Sequence, residues 1–400
     1  MLKWVMVAGV AAAVMAGQPS YAAKLLGEPI VMATDTGGFS GAAFETSKGD
    51  IGVAYSNFQS DTQVRQAYLQ FLNKGGLKGE RVVAVDASAD GARFMAASVM
   101  GALPLDEGRS AIYFRGDPNV IISWDEVFYG QTMKRSRTAG NLYSFKAIDQ
   151  TIVPYSGAAL QLASRKVVIY WGNPNIAGQG GAAAQFVDAT GAFDGSEVDI
   201  TRAGYDVLSV SNYLDGFVVA YIRRNFNGFA NVVAQKFDAL ANKVGTEHQI
   251  EARTNTGDAY LTRAYGLADG SVLVVRFTYG KKTSSTISAE VLDADWNVKT
   301  PRTVLKDRLY LLPFTVASLP DGNFMLGLDS SDFQGGNYEA TVSTYGQDLQ
   351  RIGKAARILT PMPATVDQII TRSSGDAFVV YGFNPLQGQS RNLVGQFVKP

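Results

Sequence analysis

The sequence predicts an all-β chain: a seven-bladed β-propeller of four-stranded antiparallel blades, its ring closed by the N-terminal strand completing the last blade. Three observations predict it. A glycine turn recurs along the chain, a second strand signature shares its period, and the two chain ends complement each other.

The turn glycines are Gly49, Gly108, Gly216, Gly270, Gly322 and Gly375. They are spaced by about 50 to 60 residues, with one double step between Gly108 and Gly216, where Ser164-Arg165-Lys166 holds the missing turn. A fixed period in this range marks stacked supersecondary units. The segment from Leu311 shows one unit. Leu311 to Leu319 reads as a strand, and Pro320-Asp321-Gly322-Asn323 as a tight hairpin in which Gly accepts a positive φ. Phe324 to Leu328 is a second strand, Ala340 to Tyr345 a third, and Ala355 to Leu359 a fourth after a turn at Gln347-Asp348.

The second signature marks the third strand. Ala234-Gln235-Lys236-Phe237-Asp238-Ala239 runs on to Gly245. Ala184-Gln185-Phe186-Val187-Asp188-Ala189 runs on to Gly195 with the same offset, and Tyr68-Leu69-Gln70-Phe71 to Gly79 likewise. The competing reading is a pair of β-sandwiches with accidental turn spacing. The chain ends with a third strand, Gly395 to Pro400, whose fourth is missing. Lys24-Leu25-Leu26-Gly27-Glu28-Pro29-Ile30-Val31 matches the fourth strand Lys243 to Ile250 and supplies it, removing exposed sheet edges. The expected blades span about 40–89, 90–153, 154–203, 204–257, 258–308, 309–363, and 364–400 with 24–36. The second is the irregular one.

Composition agrees. The 400 residues are 46% hydrophobic with 42 Gly, enough for a large core in a turn-rich β protein. Net charge is zero, so nothing steers the chain to nucleic acid, and Lys134-Arg135-Ser136-Arg137 reads as a solvated loop. Lys3, the apolar run Val5 to Gly17 and Ser20-Tyr21-Ala22 read as a signal peptide over residues 1–22. A single domain over 23–400 follows, periplasmic or secreted, with no membrane span after cleavage. With no Cys there is no disulfide and no thiolate chemistry.

The glycine hairpins and Ala-Gln-x-Phe-Asp-Ala third strands resemble those of bacterial secreted β-propeller repeat proteins. The resemblance is one of architecture, and it implies a ligand face where the loops between second and third strands meet the central channel. Those loops, Trp171 to Gly181, Arg223 to Phe229, Tyr279 to Ser285 and Asp329 to Tyr338 among them, carry the ligand-binding candidates Trp171, Asn173, Arg224, Phe226, Tyr279, Phe333 and Tyr338. Aromatic faces beside Asn and Arg suit sugar rings. They also suit protein hot spots, or simple packing between blades.

Much chemistry is missing. His248 is the only histidine and falls in an expected outer strand, which argues against a Ser-His-Asp triad and against zinc. Gly178-Gln179-Gly180-Gly181 joins strands rather than opening a helix, so it is no dinucleotide loop. No cofactor or metal is expected, apart from the option of one structural calcium held by carbonyls. Carboxylate catalysis survives as an alternative. Asp35, Asp206, Asp258 and Asp367 are placed near the channel mouth, with Arg93, Arg202, Arg253 and Arg263 as partners, and two such carboxylates could run glycoside hydrolysis or a lyase reaction. The expected function is binding of a glycan or an envelope protein through one face, the enzyme and an interaction scaffold being the rivals.

Overall fold

A computed structural model of the chain describes residues 23–36, 41–59, 64–85, 97–105, 109–116, 127–133, 139–145, 154–172, 181–201, 205–224, 229–255, 261–278, 285–309, 314–329, 338–360, 362–383 and 391–400. The expected signal peptide lies outside these residues.

The described chain opens with β1 (Lys24–Thr36). The first sheet then runs outward through β2 (Gly41–Glu45), β3 (Ile51–Gln59), β4 (Val64–Asn73) and β5 (Gly76–Leu77), with β6 (Val82–Val85) also pairing β4. The second holds β7 (Ala97–Pro104), β8 (Ser110–Gly116), β9 (Val127–Met133) and β10 (Ala139–Phe145). The third holds β11 (Pro154–Gln161), β12 (Lys166–Gly172), β13 (Ala182–Val187) and β14 (Phe193–Thr201). The fourth holds β15 (Tyr205–Tyr213), β16 (Gly216–Arg224), β17 (Phe229–Phe237) and β18 (Lys243–Asn255). The fifth holds β19 (Thr262–Gly266), β20 (Val272–Thr278), β21 (Ser285–Leu292) and β22 (Val298–Leu309). The sixth holds β23 (Phe314–Ser318), β24 (Phe324–Leu328), β25 (Tyr338–Tyr345) and β26 (Arg351–Thr360). The last holds β27 (Ala364–Thr371), β28 (Ala377–Phe383) and β29 (Arg391–Lys399), and β1 is its outer strand.

The expectation of seven four-stranded blades is corrected by this topology. Six sheets are four-stranded; the first has five strands. Its outer edge is shared by two short strands, because the chain turns away at Lys78–Arg81 and returns to β4 at Val82.

The inner strands close a ring. β2 touches β7, β7 touches β11, and the contacts continue through β15, β19, β23 and β27 back to β2. The apolar core is correspondingly divided among the seams between neighbouring sheets. Val99 and Ile112 meet Ala54 and Leu69 at one seam, and Phe324 and Leu326 meet Val275 and Ile287 at another. Position in the sheet explains the sequence pattern. Second strands are covered on both faces and read as unbroken apolar runs, as in β24 (Phe-Met-Leu-Gly-Leu, buried throughout). Fourth strands face solvent and alternate, as β26 does.

A tyrosine recurs near the end of the second strands: Tyr55, Tyr113, Tyr170, Tyr221 and Tyr381 are all buried. The third-strand glutamine explains the second sequence signature. Gln185 Nε2 donates to Gly195 O at 2.8 Å, and Gln70 Nε2 to Gly79 O at 3.2 Å. Each partner glycine has a positive φ; Gly195 lies where β14 bulges, and Gly79 where the chain turns away between β5 and β6.

Candidate functional site

The inner strands each have one edge paired within their sheet and one facing the channel. Backbone groups on that free edge need partners, and side chains of the neighbouring sheet supply several. Gly266 N donates to Ser211 Oγ at 2.9 Å, Asn212 Nδ2 to Gln161 O at 3.1 Å, and Ala43 N to Gln368 Oε1 at 2.8 Å. Ser318 Oγ donates to Gly266 O. Small residues make these approaches possible: a Cβ on Gly101 would stand 2.6 Å from Ala159 Cβ.

Inside this ring is a cavity of about 740 Å3, lined by residues of all the inner strands. Its walls come from the C-terminal halves of those strands and from the hairpins that follow, including Leu214, Ala268 and Pro320. It therefore lies toward the first-hairpin face. The described strand residues that flank the loops singled out from the sequence, Trp171, Arg224 and Tyr338, are at the opposite ends of their sheets.

Among the described lining residues Glu45 is the only ionised side chain. It is already engaged: Ser373 N donates to Glu45 Oε2 at 2.7 Å, and Arg372 Nε lies 3.5 Å from Oε1. The remaining polar lining is neutral. Gln161 and Asn212 spend their amide N–H groups on backbone carbonyls, which leaves each amide oxygen as an acceptor. Tyr265 lines the same cavity, and burial pushes its phenol up to about 12. Among the described residues nothing hydrogen-bonds that hydroxyl.

The sequence candidates fall as follows. Trp171 is a strand residue of β12, half-buried and packed against a core that includes Leu162 and Ile169. Arg224 ends β16, opposite Ala230. Tyr338 opens β25, half-buried and opposite Thr360. Asn173, Phe226, Tyr279, Phe333 and Asp258 lie outside the described residues, as do Arg93 and Arg202. Asp206 is buried at the loop end of β15. Asp367 is half-buried in β27, where the register with β28 shifts, and accepts from Thr365 Oγ1 at 3.1 Å. Asp35 was expected at an inner strand; it lies in β1, the outer strand of the last sheet, because β1 completes that sheet instead of leading straight into the channel. Arg263 is in β19, where burial lowers its pKa, and donates to Thr262 O.

His248 sits in the outer strand β18, stacked on Trp296 with ring centroids 5.0 Å apart. Burial lowers its pKa, with the Lys236 charge adding to that and Glu290 opposing it. Lys236 lies 3.9 Å from the Trp296 ring centroid and donates to Ala294 O. The cluster packs one sheet on the next. No group of three His, Cys, Asp or Glu able to hold a metal occurs among the described residues.

The cavity residues Gln161, Asn212, Leu214, Tyr265 and Gln368 were missed because they lie beside turns that look purely structural. One signal was available: Leu214 precedes Asp215-Gly216, at a turn position that favours Gly.

No protein-family profile matches this sequence, and no curated protein matches it. Solved structures do resemble the fold. The GH93 α-L-arabinofuranosidase of Fusarium graminearum in complex with arabinobiose aligns at TM-score 0.45 and 11% identity, over 93% of this chain and 97% of that one. The Penicillium chrysogenum α-L-arabinanase complexed with arabinobiose gives 0.43 and 10%, over 92% and 97%. The NanB sialidase of Streptococcus pneumoniae gives 0.46 and 9%, over 92% and 69%.

Proposed function

We propose that the chain is an exported binding propeller, and that its ligand is a glycan or another neutral, hydroxyl-rich component of the cell envelope. The observation that carries the reading is the neutral central cavity. Its lining mixes aliphatic side chains with amide and hydroxyl groups, and its one carboxylate is already paired. A sugar matches that mixture, because C–H faces bury apolar area while hydroxyls both donate and accept. An anion would find no cation in the described lining. Glycoside hydrolysis needs two carboxyl groups flanking the scissile bond, whereas Asp206 and Asp367 are on the inner strands outside this cavity.

The test is a glycan-array screen of residues 23–400 at low-micromolar protein, with and without calcium. A specific, unhydrolysed hit is expected. Release of a cleaved product would replace binding by catalysis, and a blank array with folded protein would sink the glycan reading in favour of a protein partner.

A further inference from the structure

The cavity has a direction. Every described wall residue belongs to the C-terminal half of an inner strand or to the hairpin after it. We infer that the ligand enters from the face of the hairpins that join first to second strands, and that it is the uncharged end of a saccharide, held by Leu214 at the mouth and Tyr265 within. This rests on the binding reading above.

Leu214 carries much of the inference. It is the first residue of the two-residue hairpin between Tyr213 and Gly216, with φ at 51°. An L-residue with a bulky side chain pays about 1–2 kcal/mol for that conformation, which Gly adopts freely. Leu214 is nonetheless 62% exposed and lines the cavity. It leans on the next hairpin, where a Cβ on Gly270 would stand 3.5 Å from its Cδ1. The fold thus holds a strained, exposed, apolar side chain where Gly would be more stable, and such residues concentrate where strain serves binding.

Tyr265 supplies the second observation. Its ring is half-buried against apolar neighbours, its hydroxyl has no hydrogen-bond partner among the described residues, and it stays protonated at every physiological pH. A phenol that lines the cavity with no partner of its own can both donate to and accept from a ligand hydroxyl. The amide oxygens of Gln161 and Asn212 add acceptors for further hydroxyls. No described lining group calls for charge on the ligand.

The experiment titrates the wild type, Leu214→Gly, Tyr265→Phe and Trp171→Ala with methyl glycosides of neutral hexoses and pentoses, their disaccharides, and methyl glucuronide, alongside melting curves. The expected result is binding of a neutral glycoside that weakens about tenfold in Leu214→Gly and in Tyr265→Phe. Leu214→Gly should melt at or above the wild-type temperature, which separates lost binding from lost fold. Equal binding by both cavity variants, with loss only in Trp171→Ala, overturns the hairpin-face site while leaving the glycan reading standing. Preference for the glucuronide overturns the uncharged ligand. Absence of all binding by folded wild type fails the glycan reading, and this inference with it.

Discussion

Gln396 donates from Nε2 to the carbonyl oxygen of Gly27 at 3.0 Å, joining the two ends of the chain. The arrangement repeats the one inside the third sheet, where Gln185 donates to Gly195 O. Gly27 has a φ of 73°, in the same left-handed region as Gly195 and Gly245. The last sheet is therefore assembled from both termini by the rules that build a sheet from contiguous chain. Lys24 pairs with Lys399 and Thr36 with Arg391.

Deleting residues 23–36 should unzip this closure. The outer edge of β29 would be left open, and Met32 and Ala33 would be lost from the core shared with Tyr55 and Phe378. We expect the melting temperature to fall by roughly 10 °C or more, with aggregation. A melting curve identical to that of the full mature chain would rule the closure out.

Much of this fold could be read from residues. The glycine hairpins fall between first and second strands, and the Gln-to-Gly offset marks the outer-strand bulge. Those features are local, so they survive without tertiary information. The site was less legible. The loop aromatics stand out in the sequence, yet Trp171 is half-buried against the core at a seam between sheets. The cavity depends on which turn residues converge across the ring, and Leu214, Tyr265 and Gln368 are far apart in sequence. The five strands of the first sheet were equally invisible, since the expected four-stranded blade over about 40–89 does not separate Gly76–Leu77 from Val82–Val85.

Glycines with different duties should respond differently to alanine. Gly245 has a φ of 68° and open space where its Cβ would go. Gly245→Ala should cost only the backbone term, about 1 kcal/mol. At Gly216 a Cβ would stand 2.0 Å from the Phe237 carbonyl oxygen. Neither backbone can yield there without breaking the β16–β17 ladder, so Gly216→Ala should cost several-fold more. Denaturant unfolding of both variants measures the ratio, and equal costs would contradict the geometry.

Arg276 occupies, in the fifth sheet, the place that Tyr221 and Tyr381 hold in theirs. It is 3% exposed. Its Nε reaches Glu251 Oε2 at 2.5 Å, and its Nη2 bonds Ile250 O at 2.6 Å and also Glu290. Arg302 reaches Glu251 as well, at 2.7 Å. Arg276→Ala would leave Glu290 without its cation, and removing one member of a buried pair costs about 3–5 kcal/mol. Glu251 keeps Arg302, so the lower end is expected. A loss below about 1 kcal/mol would show that the network contributes little to holding the fourth and fifth sheets together.

Acid should weaken the ring through two aspartates. Burial pushes Asp376 up, but hydrogen bonds from Lys74 and Ser374 and the charge of Arg372 outweigh it and hold the carboxyl below its ordinary value. At Asp269 burial is likewise outweighed, by Lys299 and Ser271, and the pKa falls to about 2. A carboxylate depressed in the folded state contributes its full stabilisation above the unfolded-state pKa, near 4. That contribution is lost as pH falls through the folded value. The contribution of these two aspartates should therefore be level above about pH 5 and decline between about pH 4 and pH 2. Asp376→Asn should lower stability at pH 7 and flatten the acid decline, since Arg372 also bonds Gly49 O and the seam between the last and first sheets depends on it. A variant with the wild-type acid slope would remove Asp376 from the account.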